Sequence, residues 1–357
     1  MKKTVNFSRF INPVFLILII IFGVFLLMFP EVCTKGGKLG LILSGNVIIP
    51  TLFPFTFCTL YITNSAIFSK LNFLEGISKR LFGLNAQEFS LFLLTFIGGY
   101  PTGAKLMDAY FSEGKITPKK ANFMLCYCIN AGPAFIVIAV GIGILKSKAI
   151  GYILLCSHIF SSLIIAFFLK KHTIEKVSTT KLKTKPLSPA DNIVRSASEA
   201  SSAVLSVCVY VILFSVINSV CDFLSLKLAF LKYIAPLLEV TTAVANSHNV
   251  YHISFLLGFS GLCVACQVSS LIKSFKFNFP LFVSMRTIHG FLSLFITALL
   301  VKIFKPYIPV FSNNISFSSD ISYKGITLTI SLIMMGFLFI ISTFNKNAGK
   351  FKESVLQ

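Results

Sequence analysis

The sequence predicts an all-α polytopic membrane protein built as an inverted-topology repeat, with two re-entrant hairpins and broken helices. Three observations favour this fold class: long apolar runs, helix breakers at the centres of several runs, and lysines gathered in the connections. The 357 residues are 55% hydrophobic and 12% charged, with a mean hydropathy of +0.85. A soluble domain has about 25% charged residues, so most of this chain is expected to lie in a bilayer.

The formal net charge of +20 could indicate a nucleic-acid partner. However, the basic residues fall in short loops and at the termini, where the cytoplasmic flanks of membrane spans collect Lys and Arg. Because no basic patch is interleaved with aromatic residues, we expect no nucleic-acid partner. The nine cysteines lie mostly in apolar runs, and Cys263 and Cys266 have no second pair, so neither a metal site nor a cofactor is expected.

The first span is predicted at residues 13–29, after a flank that contains Lys2, Lys3 and Arg9. No small-residue cleavage site follows this run, and the run is long for a signal peptide, so we interpret it as a retained span. The basic flank places the N-terminus in the cytoplasm.

Further spans are predicted from the hydropathy along the chain. The second, at residues 41–62, contains Pro50 and Pro54 and is expected to be kinked. Residues 69–88 are interpreted as a mixed loop. The remaining segments are expected at residues 89–105, 121–145, 150–169, 203–221, 226–245, 253–272, 280–303 and 325–344.

Two of these segments are interrupted at their centres by helix breakers. The first contains GGYPTG at residues 98–103, and the second contains NAGP at residues 130–133. Glycine is conformationally loose and proline lacks an N–H donor, so neither segment is expected to remain one straight helix. Lipid cannot satisfy the freed backbone groups, so these breaks must be buried in protein or line a wet cavity. Secondary transporters bind their substrates at breaks of this kind.

A basic linker divides the chain near its middle. Residues 170–189 carry six lysines against Glu175 alone, which is typical of a cytoplasmic segment. If residues 89–105 and 226–245 are hairpins that enter and leave on one side, the basic connections all fall inside. The two halves then have opposite orientations, as an inverted repeat requires. The elements pair in order as 41–62 with 203–221, 99–103 with 239–242, 130–133 with 259–261, and 150–169 with 280–303.

Glu239 is the one acidic residue among twelve that stands well inside an apolar segment. A charged carboxylate at membrane depth costs about 3 kcal/mol or more, so it suggests a functional site. We interpret Glu239 as a coupling site for a proton or sodium ion, or as an acceptor for a polar substrate group. The alternative is a snorkelling or protonated glutamate that is tied to the backbone near a hairpin tip.

Three basic residues are expected near the breaks: Lys105, Arg286 and His289. Beside helix N-termini, which carry partial positive charge, Lys105 and Arg286 would favour an anionic ligand. The alternative for both is interfacial snorkelling, and His289 is expected to be a packing residue. Polar side chains that can satisfy freed backbone, a ligand or both are Thr102, Asn130, Ser260 and Gln267.

No P-loop, Ser/His/Asp or zinc-protease pattern occurs in the sequence. We therefore expect that the protein is not an enzyme and that ATP hydrolysis within this chain does not drive it. An intramembrane enzyme is the weaker alternative.

Several stretches carry a family resemblance. In the first half they are residues 49–55 (IPTLFPF), 99–105 (GYPTGAK) and 130–136 (NAGPAFI). In the second half they are residues 239–241, 259–261 and 267–270, and Arg286 with Gly290 and Phe291. Through these stretches, over about residues 39–304, the chain resembles the sporulation integral membrane proteins of the YlbJ type. This family is also called stage V sporulation protein V, and it carries the nucleoside recognition or Gate domain.

One departure from the family pattern is Ala243, where a glycine is expected. The resemblance implies a Gate-type repeat on each side of the linker. The resulting parts are an N-terminal span and flank (1–38), the first repeat (39–170), a basic cytoplasmic linker (171–191), the second, inverted repeat (192–304), and a last span with a cytoplasmic tail (305–357).

The resemblance also implies a transporter of a small organic anion, dipicolinic acid, moved from the mother cell across the outer forespore membrane during sporulation. Dipicolinate has two carboxylates on an aromatic ring, which suits helix N-termini, Lys105 and Arg286 for charge and Tyr100 for stacking. The expected partners are this anion, the lipid bilayer and a coupling proton or sodium ion, and a homo-oligomer is left open. The predicted substrate-binding residues are Tyr100, Thr102, Gly103, Lys105, Asn130, Gly132, Glu239, Thr241, Ser260, Gln267 and Arg286. The predicted break residues are Gly99, Pro101, Pro133 and Gly261.

Two alternatives stay open at this point. One is a transporter of nucleosides or other small metabolites, because the order of hairpins is also similar to that of concentrative nucleoside transporters. In that case Glu239 would bind a neutral polar group. The other is a non-transporting membrane assembly factor in spore maturation, in which the hairpin-tip residues would tolerate alanine.

Overall fold

A computed structural model describes residues 8–65, 75–174, 188–247 and 249–306, with side chains from residue 16 onward. All regular secondary structure in these ranges is helical, which confirms the all-α class. Within the described ranges, five helices are long and apolar enough to cross a membrane, or six if one bent pair is also a span. The architecture is therefore that of a polytopic membrane protein.

The predicted span at residues 325–344 lies outside the described part of the chain.

The first helix, α1 (Ser8–Met28), covers the first predicted span. Helix α2 (Pro30–Leu43) then continues through a π-helical turn, π1 (Ser44–Ile48), into α3 (Ile49–Thr63).

The helix formed by α2, π1 and α3 contains the two prolines of the second predicted span. Pro50 lies in the first turn of α3 and Pro54 in its interior. Proline removes a backbone donor and crowds the preceding turn, so the wider π-helical turn stands directly before Pro50. The prolines thus disturb this helix without ending it.

Residues 69–88 were predicted as a loop, and this prediction is wrong for their described part. Helix α4 (Glu75–Phe82) occupies it and meets helix α5 (Ala86–Gly98) at an angle of 80°. Asn85 and Glu88 form a capping box that starts α5, with hydrogen bonds of 2.8 and 2.9 Å. Lys79 and Arg80 indicated a loop, but here they lie on the exposed side of a short amphipathic helix.

Both breaks predicted in the first half are present. Helix α5 ends at Gly98, Gly99 has φ +79°, and α6 (Tyr100–Ser112) begins directly afterwards. Helix α7 (Pro118–Cys128) ends before residues 129–133. The elements that follow are a π-helical segment π2 (Ala134–Ile144), α8 (Lys148–Phe168) and the short α9 (Lys170–Thr173).

The second half shows the same order of elements: a long helix, two broken segments and another long helix. Glu239 separates the helices of the first broken segment, and Ser260, with φ +66°, separates those of the second. The inverted relation between the halves stays a prediction. The elements are α10 (Pro189–Ser225), α11 (Leu231–Leu238), α12 (Val240–Ala245), α13 (Val250–Phe259), α14 (Gly261–Leu271) and α15 (Phe279–Phe304).

Corresponding long helices of the two halves pack against each other. Helices α2 and α3 lie along α10, and α8 lies along α15. The contact between α2 and α10 uses Gly36 and Gly40, whose four-residue spacing lets two membrane helices approach closely. A Cβ built on Gly40 would lie 2.6 Å from the Cα of Ile212. This packing fixes the two halves together.

The close contact of α2 with α10 predicts opposite outcomes for two nearby glycines. Gly40→Ala should lower the free energy of unfolding by about 1–3 kcal/mol, because the added methyl group overlaps the backbone of α10. Gly37→Ala is the matched control, since its nearest atom would be Val216 Cγ2 at 3.8 Å. Alanine also favours a helix by about 1 kcal/mol over glycine. Melting of the purified proteins in one detergent should separate the variants, and equal melting temperatures would contradict the packing.

Candidate functional site

The two helix breaks within each half touch each other through their backbones. A Cβ built on Gly99 would lie 3.7 Å from the nitrogen of Gly132, and one on Gly261 would lie 3.1 Å from the oxygen of Leu238. Gly99 and Gly261 have φ values of +79° and +78°, a conformation that favours glycine. Both junctions therefore bring two backbones into contact, and at Gly99 the closest atom belongs to the side chain of Leu52, 3.0 Å from a built Cβ.

Tyr100 connects the break in the first half to a break in the second. Its buried hydroxyl donates to the carbonyl oxygen of Leu257 at 3.0 Å. Leu257 lies in the last turn of α13, where carbonyl groups lack partners within the helix. The hydroxyl of Tyr100 thus satisfies backbone that the break has freed.

A cavity of about 30 Å³ lies between the breaks. Its other walls are mostly valine, leucine and isoleucine side chains from π1, α3, α10, α12 and α14. This volume holds one or two water molecules, so an organic substrate does not fit in this conformation. The predicted substrate-binding residues that line it are Tyr100, Gly132, Glu239, Thr241 and Gln267.

Glu239 is fully buried at this cavity and caps the N-terminus of α12. Its Oε1 accepts the N–H of Thr241 at 2.8 Å, and its Oε2 accepts the N–H of Thr242 at 2.6 Å. Among the described residues, no Lys, Arg or His nitrogen lies within 4.0 Å of this carboxylate. The partial positive charge of the helix end favours the carboxylate, and each oxygen keeps a lone pair for another partner.

Arg286 is only 1% exposed, so the interfacial alternative is wrong for this residue. Its Nη1 donates to the oxygen of Ile129 at 2.6 Å, just after α7, and its Nε donates to Ser260 Oγ at 3.2 Å. Its Nη2 lies 3.5 Å from the oxygen of Leu257. The carbonyl groups at the ends of α7 and α13 surround the guanidinium, and their partial negative charge stabilises it.

Arg286 lies beside the N-terminus of α14 through Ser260, the N-cap of that helix, but its other partners are carbonyl groups at helix C-termini. A guanidinium has only donors, and carbonyl oxygens freed by a break are the acceptors that it can satisfy. Its binding of a substrate stays a prediction.

Two histidines complete the polar cluster around Arg286. His289 Nδ1 lies 2.8 Å from Arg286 Nη1 and must accept, so its Nε2 donates to the oxygen of His158 at 3.1 Å. His158 Nε2 accepts the N–H of Ala131, inside the NAGP break, at 3.0 Å. His289 is thus a hydrogen-bonded residue rather than one that only packs. No pattern in the sequence indicated His158, because its partner is a backbone group of a distant break.

Thr102 and Asn130 satisfy backbone at the first-half breaks. Thr102 Oγ1 donates to the oxygen of Gly98 at 2.8 Å, and Asn130 Nδ2 donates to the oxygen of Tyr127 at 2.8 Å. These contacts match one of the roles expected for them, and ligand binding stays a prediction for both.

Gly103 and Lys105 lie on α6, beyond the walls of the cavity. A Cβ on Gly103 would lie 2.0 Å from the oxygen of Cys128, so Gly103 lets α6 and α7 touch. Lys105 is half-buried. The charged groups with which it interacts electrostatically are Glu199, Asp108 and Lys273. Gln267 lies at the cavity and donates its Nε2 to Cys263 Sγ at 3.1 Å.

A buried ion pair between α5 and α7 was missed by the sequence analysis. Lys120 Nζ lies 2.6 Å from Glu88 Oε1, and the two side chains are 4% and 2% exposed. Lys120 belongs to a basic run that resembles a cytoplasmic flank, and Glu88 is the last residue of the predicted loop. The spacing of Asn85 and Glu88 as a capping box was the one available signal for the position of Glu88.

Taken together, the spans, the broken helices and their buried polar junction define a polytopic all-α membrane protein with discontinuous helices. The chain is similar to the sporulation integral membrane protein YlbJ of Bacillus subtilis (strain 168). The two are 23% identical over 310 residues, which are 73% of this chain and 76% of the relative. This similarity supports an assignment to the YlbJ type of sporulation integral membrane proteins and a membrane role in sporulation.

No family model matches the chain. No solved structure matches it significantly either.

The position of Arg286 predicts that its removal destabilises the fold. In Arg286→Gln, the carbonyls of Ile129 and Leu257 lose a buried donor, which should lower the free energy of unfolding by about 2–5 kcal/mol. Lys302→Gln, an exposed cation on the same helix, is the matched control. Thermal unfolding in detergent measures both, and an Arg286→Gln protein as stable as the control would refute this role.

The buried ion pair gives a second stability prediction. Lys120→Met leaves the Glu88 carboxylate buried and unpaired, and should cost about 3–5 kcal/mol of stability. Lys119→Met, at the exposed neighbouring position, should have little effect. Adding Glu88→Gln to Lys120→Met should recover most of the loss, because the amide keeps the capping box without a charge. If the double variant melts no higher than Lys120→Met, the unpaired charge is not the cause.

Proposed function

We propose that the chain is a membrane transporter of a small organic anion and not an enzyme. We further propose dipicolinic acid as the substrate, moved from the mother cell across the outer forespore membrane. The observation that carries the proposal is the meeting of helix breaks from both halves around one cavity that contains a buried carboxylate. In secondary transporters, discontinuous helices of this kind bind substrate and coupling ions near the bilayer midplane. The choice of dipicolinate rests on the family resemblance and on the relative's name as a sporulation protein.

Transport requires the breaks to separate, because the cavity of about 30 Å³ is too small for an organic anion. The contacts of Gly99 with Gly132 and of Gly261 with Leu238 are made by backbone. The side chain of Leu52 also lies close to Gly99, at 3.0 Å from a Cβ built there, and would have to move when this junction parts. Movement of the broken helices within each half would then open the cavity to one side at a time, as alternating access requires.

The charge of the cavity favours a coupled mechanism. Among its lining residues in the described ranges, Glu239 is the one charged side chain, while Arg286 is bonded to carbonyl groups. A dianion next to an ionised carboxylate would be repelled, since charges interact strongly in a low-dielectric interior. We propose that Glu239 binds the coupling proton or sodium ion, which lowers the negative charge of the site when the substrate enters. Tyr100 would then stack on the aromatic ring of the substrate.

Uptake of labelled dipicolinate into proteoliposomes tests this function. The wild-type protein should give saturable uptake that exceeds uptake by empty liposomes. Glu239→Gln should reduce the initial rate at least about tenfold, equivalent to about 1.4 kcal/mol of barrier, because it removes the proposed cation site. Glu31→Gln, an exposed carboxylate on α2, is the matched control and should keep the wild-type rate.

Two outcomes would contradict this account. Wild-type uptake equal to that of empty liposomes would refute transport of dipicolinate. A wild-type rate in Glu239→Gln, with equal protein content in the liposomes, would refute the role of Glu239.

The lining of the cavity favours one second candidate, the transport of a nucleoside or another neutral metabolite. The described lining residues offer a carboxylate, an amide, two threonine hydroxyls and a tyrosine ring, but no cationic side chain. These groups suit hydroxyls and a neutral base. In liposomes that take up labelled uridine, excess dipicolinate should not compete if this candidate is right. Competition by dipicolinate would instead favour the anion transporter.

A further inference from the structure

Helix α4 lies across the end of the helix bundle rather than along it. It meets α5 at 80° and contacts α8 and α9. Thr173 Oγ1 donates to the oxygen of Phe82 at 2.9 Å, and Lys170 Nζ donates to the oxygen of Arg80. Because α8 is a membrane span that ends at Phe168, α4 is held at the level where this span leaves the bilayer.

The exposed surface of α4 contains both apolar and cationic side chains. Ser78 and Phe82 face the bundle and are buried. Ile77 and Leu81, one turn apart on another side, are 59% and 41% exposed. Lys79 and Arg80 are also exposed. A short helix with an apolar stripe beside cations, lying at the end of a span, has the features of a helix in the membrane interface.

The segment on which α4 rests extends this surface. Lys171 and Ile174 are both exposed. Glu75 is the one carboxylate of α4, and Lys79 neutralises it at 2.5 Å. The sequence then continues through residues 175–187 with four lysines and one glutamate. We define the α4–α9 surface as the apolar residues Ile77, Leu81 and Ile174 with the cations Lys79, Arg80 and Lys171.

We propose that the α4–α9 surface binds anionic phospholipids of the leaflet in which α8 ends. The apolar side chains lie at the boundary of headgroups and acyl chains, and the cations contact lipid phosphates. An anionic leaflet attracts cations that stand next to a span, and this attraction adds up over several Lys and Arg residues. The surface begins where a span ends, so the bilayer itself is the partner within reach of its apolar residues. This inference is independent of the transported substrate.

Native mass spectrometry of the full-length protein in a neutral detergent tests the proposal. The protein is titrated with phosphatidylglycerol or with phosphatidylcholine, and the bound lipids are counted. The wild-type protein should bind phosphatidylglycerol in preference to phosphatidylcholine. The triple variant Lys79→Gln, Arg80→Gln and Lys171→Gln should bind it on the order of a hundredfold more weakly. Lys170 is left unchanged because its Nζ holds the backbone of α4.

A second triple variant, Lys38→Gln, Lys227→Gln and Lys232→Gln, removes three exposed cations elsewhere and should keep the wild-type affinity. Equal losses in both triple variants would overturn the assignment to this surface, as would unchanged binding in the first. Inorganic phosphate should not displace the lipid at equal concentration. Displacement by inorganic phosphate would show that the surface takes soluble anions and would refute the lipid as its ligand.

Discussion

An interrupted helix inside a bilayer leaves backbone donors and acceptors that lipid cannot satisfy, and the centre of this protein is arranged around that constraint. Arg286 bonds the carbonyls freed after α7 and in the last turn of α13, and Glu239 bonds the N–H groups that begin α12. Each buried charge thus lies at helix ends of opposite partial charge. The breaks can lie at membrane depth because each half supplies hydrogen-bond partners for backbone groups that are freed in the other half.

The sequence predicted the local part of this arrangement and missed most of the long-range part. Glycine and proline signal where a helix must end, so the breaks near Gly99 and Pro133 were identified from the chain alone. The carboxylate of Glu239 stood out because its neighbours are apolar. In contrast, Arg286 and Ile129 are 157 residues apart, and Glu88 and Lys120 are 32 apart. No spacing rule joins such residues, because their contact depends on how whole helices pack.

The packing of the helices also explains why the predicted substrate-binding residues do not all lie at the cavity. Tyr100, Glu239 and Gln267 line the cavity, whereas Arg286 belongs to the polar junction of the breaks. Among the described residues, the carboxylate of Glu239 has no cationic partner, and it lines a space of about 30 Å³. These two features connect the structure to the proposed function: the small volume requires movement at the breaks, and the charge requires a cation that accompanies an anionic substrate. A neutral substrate would need the movement at the breaks but no accompanying cation.

The most direct test is the distribution of dipicolinate in sporulating host cells, measured separately for the mother cell and the forespore. The cells would contain the wild-type protein, no protein, or Glu239→Gln at the wild-type level in the membrane. The account predicts that dipicolinate accumulates in the mother cell and falls in the forespore when the protein is absent or carries Glu239→Gln. A forespore content that stays unchanged in cells without the protein would contradict the account.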